Sequence, residues 1–336
     1  MCELDSIEYL NTAGIIIDVR SPEEFEHAKI PGAVNLPLLN DEERVIIGTL
    51  YKQSGKAAAI EEGFALVGPK LKTFIKTAKE ILKNKPAKIY CARGGLRSSI
   101  ASFLLQTADI PTFRLTNGYK AFRNFCLKKD FSSLTLFVIA GLSGSGKTEF
   151  LHNLKQNNLQ VIDLEGLARH RGSSYGMLPG VLQVSSEQFE NEIFCQLLHF
   201  DQSLPIYIED ESRMIGKCRL PDSLFQKMSI SPIFLIEKPF SIRVEKLFQD
   251  YGSLDTINLI DATNRIAKRL GSLRTSQVIA HIESGFLKPA IEIVLKYYDS
   301  TYLEGIKQRS TQIKKINCND FINNNGIAHA NPSHNR

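Results

Sequence analysis

Cys91 stands in the stretch "KIYCARGGLRSS", residues 88–99, straight after an apolar pair and ahead of two glycines and two arginines. A thiol on a strand-to-helix loop lies among backbone N–H groups and beside the N-terminus of the following helix, "SSIASFLLQTA". Both favour the thiolate, which is the nucleophilic form. Gly94 and Gly95 permit the backbone to curl with its amides inward, and Arg93 or Arg97 can offer a tetrahedral oxyanion a fork of donors. Two chemistries use such a loop: sulfur-group transfer through a Cys persulfide, and phosphoester hydrolysis through a Cys-phosphate. A second loop, Gly141-Leu-Ser-Gly144-Ser145-Gly146-Lys147-Thr148, fits the phosphate-binding pattern GxxxxGK[ST] between a hydrophobic strand and a helix start. Its glycines let successive N–H groups face one anion, Lys147 adds a mobile cation, and Thr148 can ligate Mg²⁺. Such a loop cradles a di- or triphosphate without specifying the rest of the ligand. In "PIYIEDES" the acids Glu209, Asp210 and Glu211 end a strand, where P-loop enzymes often keep a carboxylate near Mg²⁺. "DLEGLARHRGSSYG", residues 163–176, is dense in Arg169, His170, Arg171, Ser173 and Ser174, and reads as a ligand-closing loop.

The elements that must position these residues follow from the pattern of apolar runs. "GIIIDVR", "AKIYC" and the strand in "IPTFRLTNGYK" alternate with helical segments in the first part of the chain. After the polar bridge "KKDFSSL" the pattern resets with "LTLFVIA", then "LQVIDLE", "PIYIED" and "SPIFLIE", spaced by helices as strands of a mainly parallel sheet are. This predicts two α/β domains, 1–130 and 131–310, with a polar and disordered tail over 311–336. With 43% hydrophobic and 23% charged residues the composition is that of folded soluble protein. No apolar run approaches the roughly 20 residues of a membrane span, and the N-terminus lacks a signal-peptide pattern, so a cytoplasmic protein is expected. Six scattered cysteines without a CxxC pair argue against a disulfide framework or a zinc site. A net charge of +5 is too small to prove a polyanionic partner by itself.

"IIIDVRSPEEFEHAKIPGAVNLP" resembles the opening of the rhodanese domain, through Asp18, Val19, Arg20, Glu24, Phe25, His27 and the run Ile30-Pro31-Gly32-Ala33. The departure lies in the loop: five residues separate Cys91 from Arg97, where common rhodaneses have four, and the wider ring is nearer to that of Cys-dependent phosphatases. Taken with "NDEERVIIGTLYKQSG", "YCARGGLRS", "NGYKAFR", "GLSGSGKT", "DLEGLARHRGSSYG", "EDESRMIG" and "YYDSTY", the chain resembles the tRNA 2-selenouridine synthases, a rhodanese-like α/β domain fused to a P-loop NTPase-like α/β domain.

The resemblance covers residues 12–305. It implies replacement of the sulfur of wobble 2-thiouridine in tRNA by selenium from selenophosphate, through an S-geranyl uridine made from geranyl diphosphate. It further implies that Cys91, with Arg93, Gly94, Gly95 and Arg97, receives selenophosphate, the thiolate attacking selenium. The diphosphate of geranyl diphosphate is expected at Gly141, Gly144, Ser145, Gly146, Lys147 and Thr148, with Mg²⁺ as a possible companion. Basic residues including Lys120, Arg123, Arg213, Arg219 and Arg243 are candidates for RNA phosphate contacts. The rival reading is a P-loop phosphotransferase with a regulatory rhodanese- or phosphatase-like domain.

Overall fold

A computed structural model describes residues 2–173, 175, 181–252, 254–309 and 312–316. The chain divides into two compact units, one comprising Met1–Lys129 with Glu190–Cys195, the other Asp130–Phe189 with Gln196–Arg336.

In the first unit the order is β1 (Cys2–Leu4), α1 (Ser6–Asn11), β2 (Ile15–Asp18), α2 (Pro22–His27), β3 (Val34–Asn35), α3 (Asp41–Gln53), α4 (Gly55–Val67), α5 (Leu71–Leu82), β4 (Ala87–Tyr90), α6 (Leu96–Thr107), β5 (Thr112–Leu115) and α7 (Gly118–Leu127). All pairings are parallel, in the order β1-β5-β4-β2-β3. β4 is buried along its whole length, Lys88 included, whose ammonium donates to the Thr12 carbonyl at 2.8 Å. It delivers Cys91 to the carboxyl edge of the sheet, where open parallel sheets place their ligands. The rhodanese-like signature is architectural here. Asp18 and Arg20 form a buried ion pair at 2.6 Å, and Arg20 also donates to the Ala28 carbonyl at 2.7 Å while lying over the Tyr119 ring. It thereby ties the end of α2 to the sheet.

The second unit runs β6 (Leu136–Gly141), α8 (Lys147–Gln156), β7 (Gln160–Ile162), α9 (Leu164–Ala168), α10 (Ser186–His199), β8 (Ile206–Glu209), a small hairpin of β9 (Met214–Ile215) and β10 (Cys218–Arg219), α11 (Asp222–Ile230), β11 (Ile233–Ile236), α12 (Phe240–Tyr251), α13 (Thr256–Leu270), α14 (Ser272–Glu283), α15 (Leu287–Lys307) and β12 (Ile313–Ile316). Its main sheet is again parallel throughout, in the order β12-β11-β6-β8-β7. β6 is wholly buried, and β8 and β7 lie successively to one side of it.

One expectation changes. Within the stretch expected to be disordered, Ile313–Ile316 is a strand paired with β11, register Ile233 to Ile313. The strand is exposed apart from half-buried Ile316, as a short lysine-bearing edge strand can be, so backbone pairing with β11 orders it despite the polar composition around it. Residues 317–336 lie outside the described residues. Among the described residues, no helix is long and apolar enough to cross a membrane.

Candidate functional site

Cys91 is buried, 3% exposed, and its thiol donates to the Ser98 hydroxyl at 3.2 Å. Ser98 sits in the first turn of α6 and in turn donates to the Gly95 carbonyl at 3.0 Å. Once the thiol ionises, that hydroxyl can rotate to donate to sulfur, because a Ser O–H is a free rotor. The loop is held from outside by the start of α7. The N–H groups of Tyr119 and Lys120 donate to the carbonyls of Cys91 and Ala92 at 2.9 and 3.0 Å. Gly118 makes this approach possible, since a Cβ there would lie 2.2 Å from the Cys91 carbonyl oxygen. Hence the "NG" of "NGYKAFR" serves the cysteine loop rather than an isolated turn. Of the two loop glycines only Gly94 adopts the left-handed region, φ 65°; Gly95 is extended and caps α6, so the curl comes from one residue, not two.

The two arginines differ. Arg93 is exposed on the loop. Arg97, expected to face an oxyanion, instead donates to the Glu24 carboxylate at 2.6 and 3.3 Å. Burial pushes the Glu24 carboxyl up, but the Arg97 hydrogen bond and charge, with help from Arg44, outweigh it and hold the group below its ordinary value. Arg97 is thus a brace between α6 and α2, placed by an acid of the signature that lies far away in sequence.

At the P-loop, Lys147 donates to the Gly141 carbonyl at 3.0 Å, across the loop that Gly144 and Gly146 wrap in left-handed conformations. Ser145 is buried, and its hydroxyl has no hydrogen-bond partner. α15 holds the loop from behind. Tyr302 accepts from the Gly141 N–H at 3.0 Å and donates to Asp210 at 2.6 Å, while Asp299 binds Arg243, which donates to the Ser143 carbonyl. "YYDSTY" therefore supports the P-loop. Arg243, a candidate RNA contact, is buried in this brace, and Arg213 and Arg219 both pair with Asp222.

The acids past β8 part ways because side chains alternate along an extended chain. Asp210 is committed to Tyr302 and to Arg309 at 2.6 Å, so it is not available beside an ion. Glu209 faces the other side with Glu165 and Glu211, their carboxylate oxygens all within 4.8 Å of one another. Burial first, then mutual repulsion, pushes Glu165 and Glu209 up to about 8 and Glu211 to about 7, with the Lys147 charge opposing the rise. Glu209 is fully buried, and one of its carboxylate oxygens has no partner. Three hard oxygen donors with an unsatisfied buried lone pair fit a small divalent cation such as Mg²⁺.

A cavity of ≈ 490 Å³ opens from this point. One end is polar, lined by residues 143–149, Asp163, Glu165, His170, Arg171 and Ser173; the other is lined by Leu259, Val278, Ile282, Ile291, Val294 and Leu295 of the α13–α15 bundle. Within the loop expected to close over a ligand, His170, Arg171 and Ser173 line this cavity. Arg169 does not: it ends α9 in a left-handed conformation and is exposed. Ser174 lies outside the described residues.

Residues 134–324 match the family model described as the tRNA 2-selenouridine synthase AAA domain, and residues 5–125 match the rhodanese-like domain. A tRNA 2-selenouridine synthase of Bdellovibrio bacteriovorus is 35% identical over 89% of this chain and 90% of its own length. The chain belongs to the tRNA 2-selenouridine synthase family. Further members are those of Aeromonas salmonicida, 34% identical with 91% and 92% covered, and of Nitrosomonas europaea, 43% identical over 70% of this chain and 63% of that relative.

The roles of Ser98, Glu165, Asp299 and Tyr302 at the two sites of this family member escape a reading of the motifs, and so do the acids that Glu211 meets. Ser98 is signalled only by its place directly after Arg97, on the first turn of the helix. Glu165 and Glu211 belong to acid strings that follow β7 and β8, and what brings them together is the adjacency of those strands. Tyr302 and Asp299 are three residues apart, one helical face, which tells that they act together but not on what.

Proposed function

We propose that this chain modifies tRNA, exchanging the sulfur of wobble 2-thiouridine for selenium from selenophosphate by way of an S-geranyl uridine formed from geranyl diphosphate. The observation that carries the reading is the two-faced cavity of the P-loop unit. Its polar end suits a diphosphate, and its other end is mainly aliphatic, with Tyr175 and Tyr298 packed beside the aliphatic side chains. A nucleoside would leave its base amides and ribose hydroxyls unpaired against Ile282, Val294 and Leu295, whereas an isoprenoid tail loses nothing there. That argues against the rival phosphotransferase.

In the first step the uridine sulfur attacks the carbon bearing the diphosphate, the carbon–oxygen bond breaks, and the leaving group's charge falls to Lys147 and the loop N–H groups. A Mg²⁺ ion held by Glu165, Glu209 and Glu211 would supply further charge neutralisation. Alkylation converts the sulfur into a good leaving group. In the second step Cys91 acts on selenophosphate, and electron balance decides where. Attack on selenium would leave phosphorus at the phosphite level. Attack on phosphorus forms a Cys–phosphate bond, breaks the phosphorus–selenium bond and frees hydroselenide; water later returns the thiol and phosphate. The wide loop and the Ser98 hydroxyl beside sulfur support attack on phosphorus. Hydroselenide then adds at C2 of the uracil ring and geranylthiolate departs. A tRNA substrate places this work in the cytoplasm.

The test is mass spectrometry of wobble nucleosides from thiolated tRNA incubated with the protein and geranyl diphosphate, selenophosphate, or both. The S-geranyl nucleoside is expected with geranyl diphosphate alone, and the seleno nucleoside only with both. ATP turnover without either product would overturn the reading in favour of the phosphotransferase.

A further inference from the structure

The first unit holds a second, larger cavity, of which the preceding steps use only the cysteine loop at its floor. Its volume is ≈ 820 Å³, inside the range of roughly 300–1,000 Å³ typical of small-molecule pockets. The floor is the cysteine loop itself, with Cys91, Arg93 and Gly95 among the lining residues. The walls come from the helical hairpin of α3 and α4, which carries "NDEERVIIGTLYKQSG", a motif with no role so far.

Two features of the walls are unusual for a protein surface. Val45, Tyr51 and Phe64 line the cavity while remaining 65%, 59% and 55% exposed, a cost in water that a cover of their own chemistry would remove. Arg44, Lys52 and Lys56 join them in the lining, so an apolar hollow is edged by cations. The hollow suits a hydrocarbon and the cations suit phosphates, and an RNA that carries an isoprenoid chain on a base has both.

We propose that this cavity receives the isoprenoid chain of the S-geranyl uridine and so seats C2 of the ring over Cys91. The inference rests on the function proposed above and adds to it a second prenyl-binding site, separate from the P-loop cavity. It solves a problem of that chemistry: the alkylated base must reach Cys91 with its greasy group still attached, and a polar loop alone would repel it. Burial of the chain would also distinguish prenylated from unprenylated RNA, so that selenium is delivered only after the first step.

The experiment measures binding of the full chain to two anticodon stem-loop RNAs, one with S-geranyl-2-thiouridine and one with S-methyl-2-thiouridine, at a single salt concentration. Wild type is expected to favour the geranyl RNA at least about tenfold. In Val45→Glu/Phe64→Glu the preference should fall to near unity, with geranylation of thiolated RNA unchanged within about twofold; both positions are exposed, so the fold tolerates them. A preference that survives the double substitution places the chain elsewhere and overturns the inference. So does a wild type that binds both RNAs alike, as it would if the hollow took a bare base. A change from dimer to monomer on the same substitutions would mark the face as a contact between copies of the chain, with the same consequence. If wild type makes no S-geranyl product at all, the functional reading fails, and this inference fails with it.

Discussion

The chain builds two glycine-bearing loops on one plan and furnishes them with opposite groups. Each follows a buried parallel strand, β4 or β6, and each runs into a helix N-terminus. At the first loop the floor holds a thiol, and the nearest groups are hydroxyl and backbone. At the second it holds an ammonium with three carboxylates opposite. The scaffold is therefore shared, and under the proposed function what stands at its floor decides whether the ligand is attacked or only helped to leave. The supports differ as well. The cysteine loop is held by N–H groups of α7 and by an Arg97–Glu24 brace, whereas the P-loop is held by side chains of α15.

If the division of labour is real, single substitutions should separate the two reactions. Cys91→Ser should lower selenium insertion on the order of 10³-fold or more while geranylation proceeds at the normal rate. Lys147→Ala should do the reverse when each step is given its own substrate, cutting geranylation of thiolated RNA by about 10²- to 10³-fold while selenium insertion into ready-made S-geranyl RNA proceeds normally. Loss of both reactions in either folded variant, read by mass spectrometry of the nucleosides, would break the comparison.

Ser98→Ala should slow the selenium step about tenfold, the worth of one hydrogen bond to a departing thiolate, and leave geranylation untouched. An unchanged single-turnover rate would remove the hydroxyl from the mechanism. Tyr302→Phe leaves the Gly141 N–H unpaired behind the P-loop and deprives Asp210 of one donor. We expect a stability loss of about 1–3 kcal/mol and a raised KM for geranyl diphosphate, with selenium insertion from S-geranyl RNA unchanged.

The smallest effect concerns the brace. Because Arg97 holds the folded-state pKa of Glu24 below its unfolded value of 4.5, the pair stabilises the first unit above that pH, and the benefit is lost as pH falls through the folded value. Glu24→Gln should cost roughly 1 kcal/mol at pH 7. In denaturant titrations the difference from wild type should shrink below pH 4.5. A difference that persists in acid would mean packing, not charge, is lost.

Much of this was legible in the chain itself. Apolar runs of the right length mark the inner strands of both sheets, while the short edge strands β1, β3 and β12 carry too little apolar pattern to show, and the two loops announce themselves because glycines, a thiol, a lysine and helix starts stand within a few consecutive residues. Such motifs are local, and backbone geometry alone makes them work. Tertiary structure decided the partners. Arg97 turned to Glu24 and Arg243 to Asp299, choices between equally basic residues that depend on which acid folding brings near. Glu209 met Glu165 and Glu211 while Asp210 was taken by Tyr302 and Arg309, because β7 lies beside β8 and side chains alternate. The two apolar hollows are made by helices whose residues read as ordinary core or surface. Local spacing sets what a residue can do, but charge and burial act through space, and only the folded chain says on what they act.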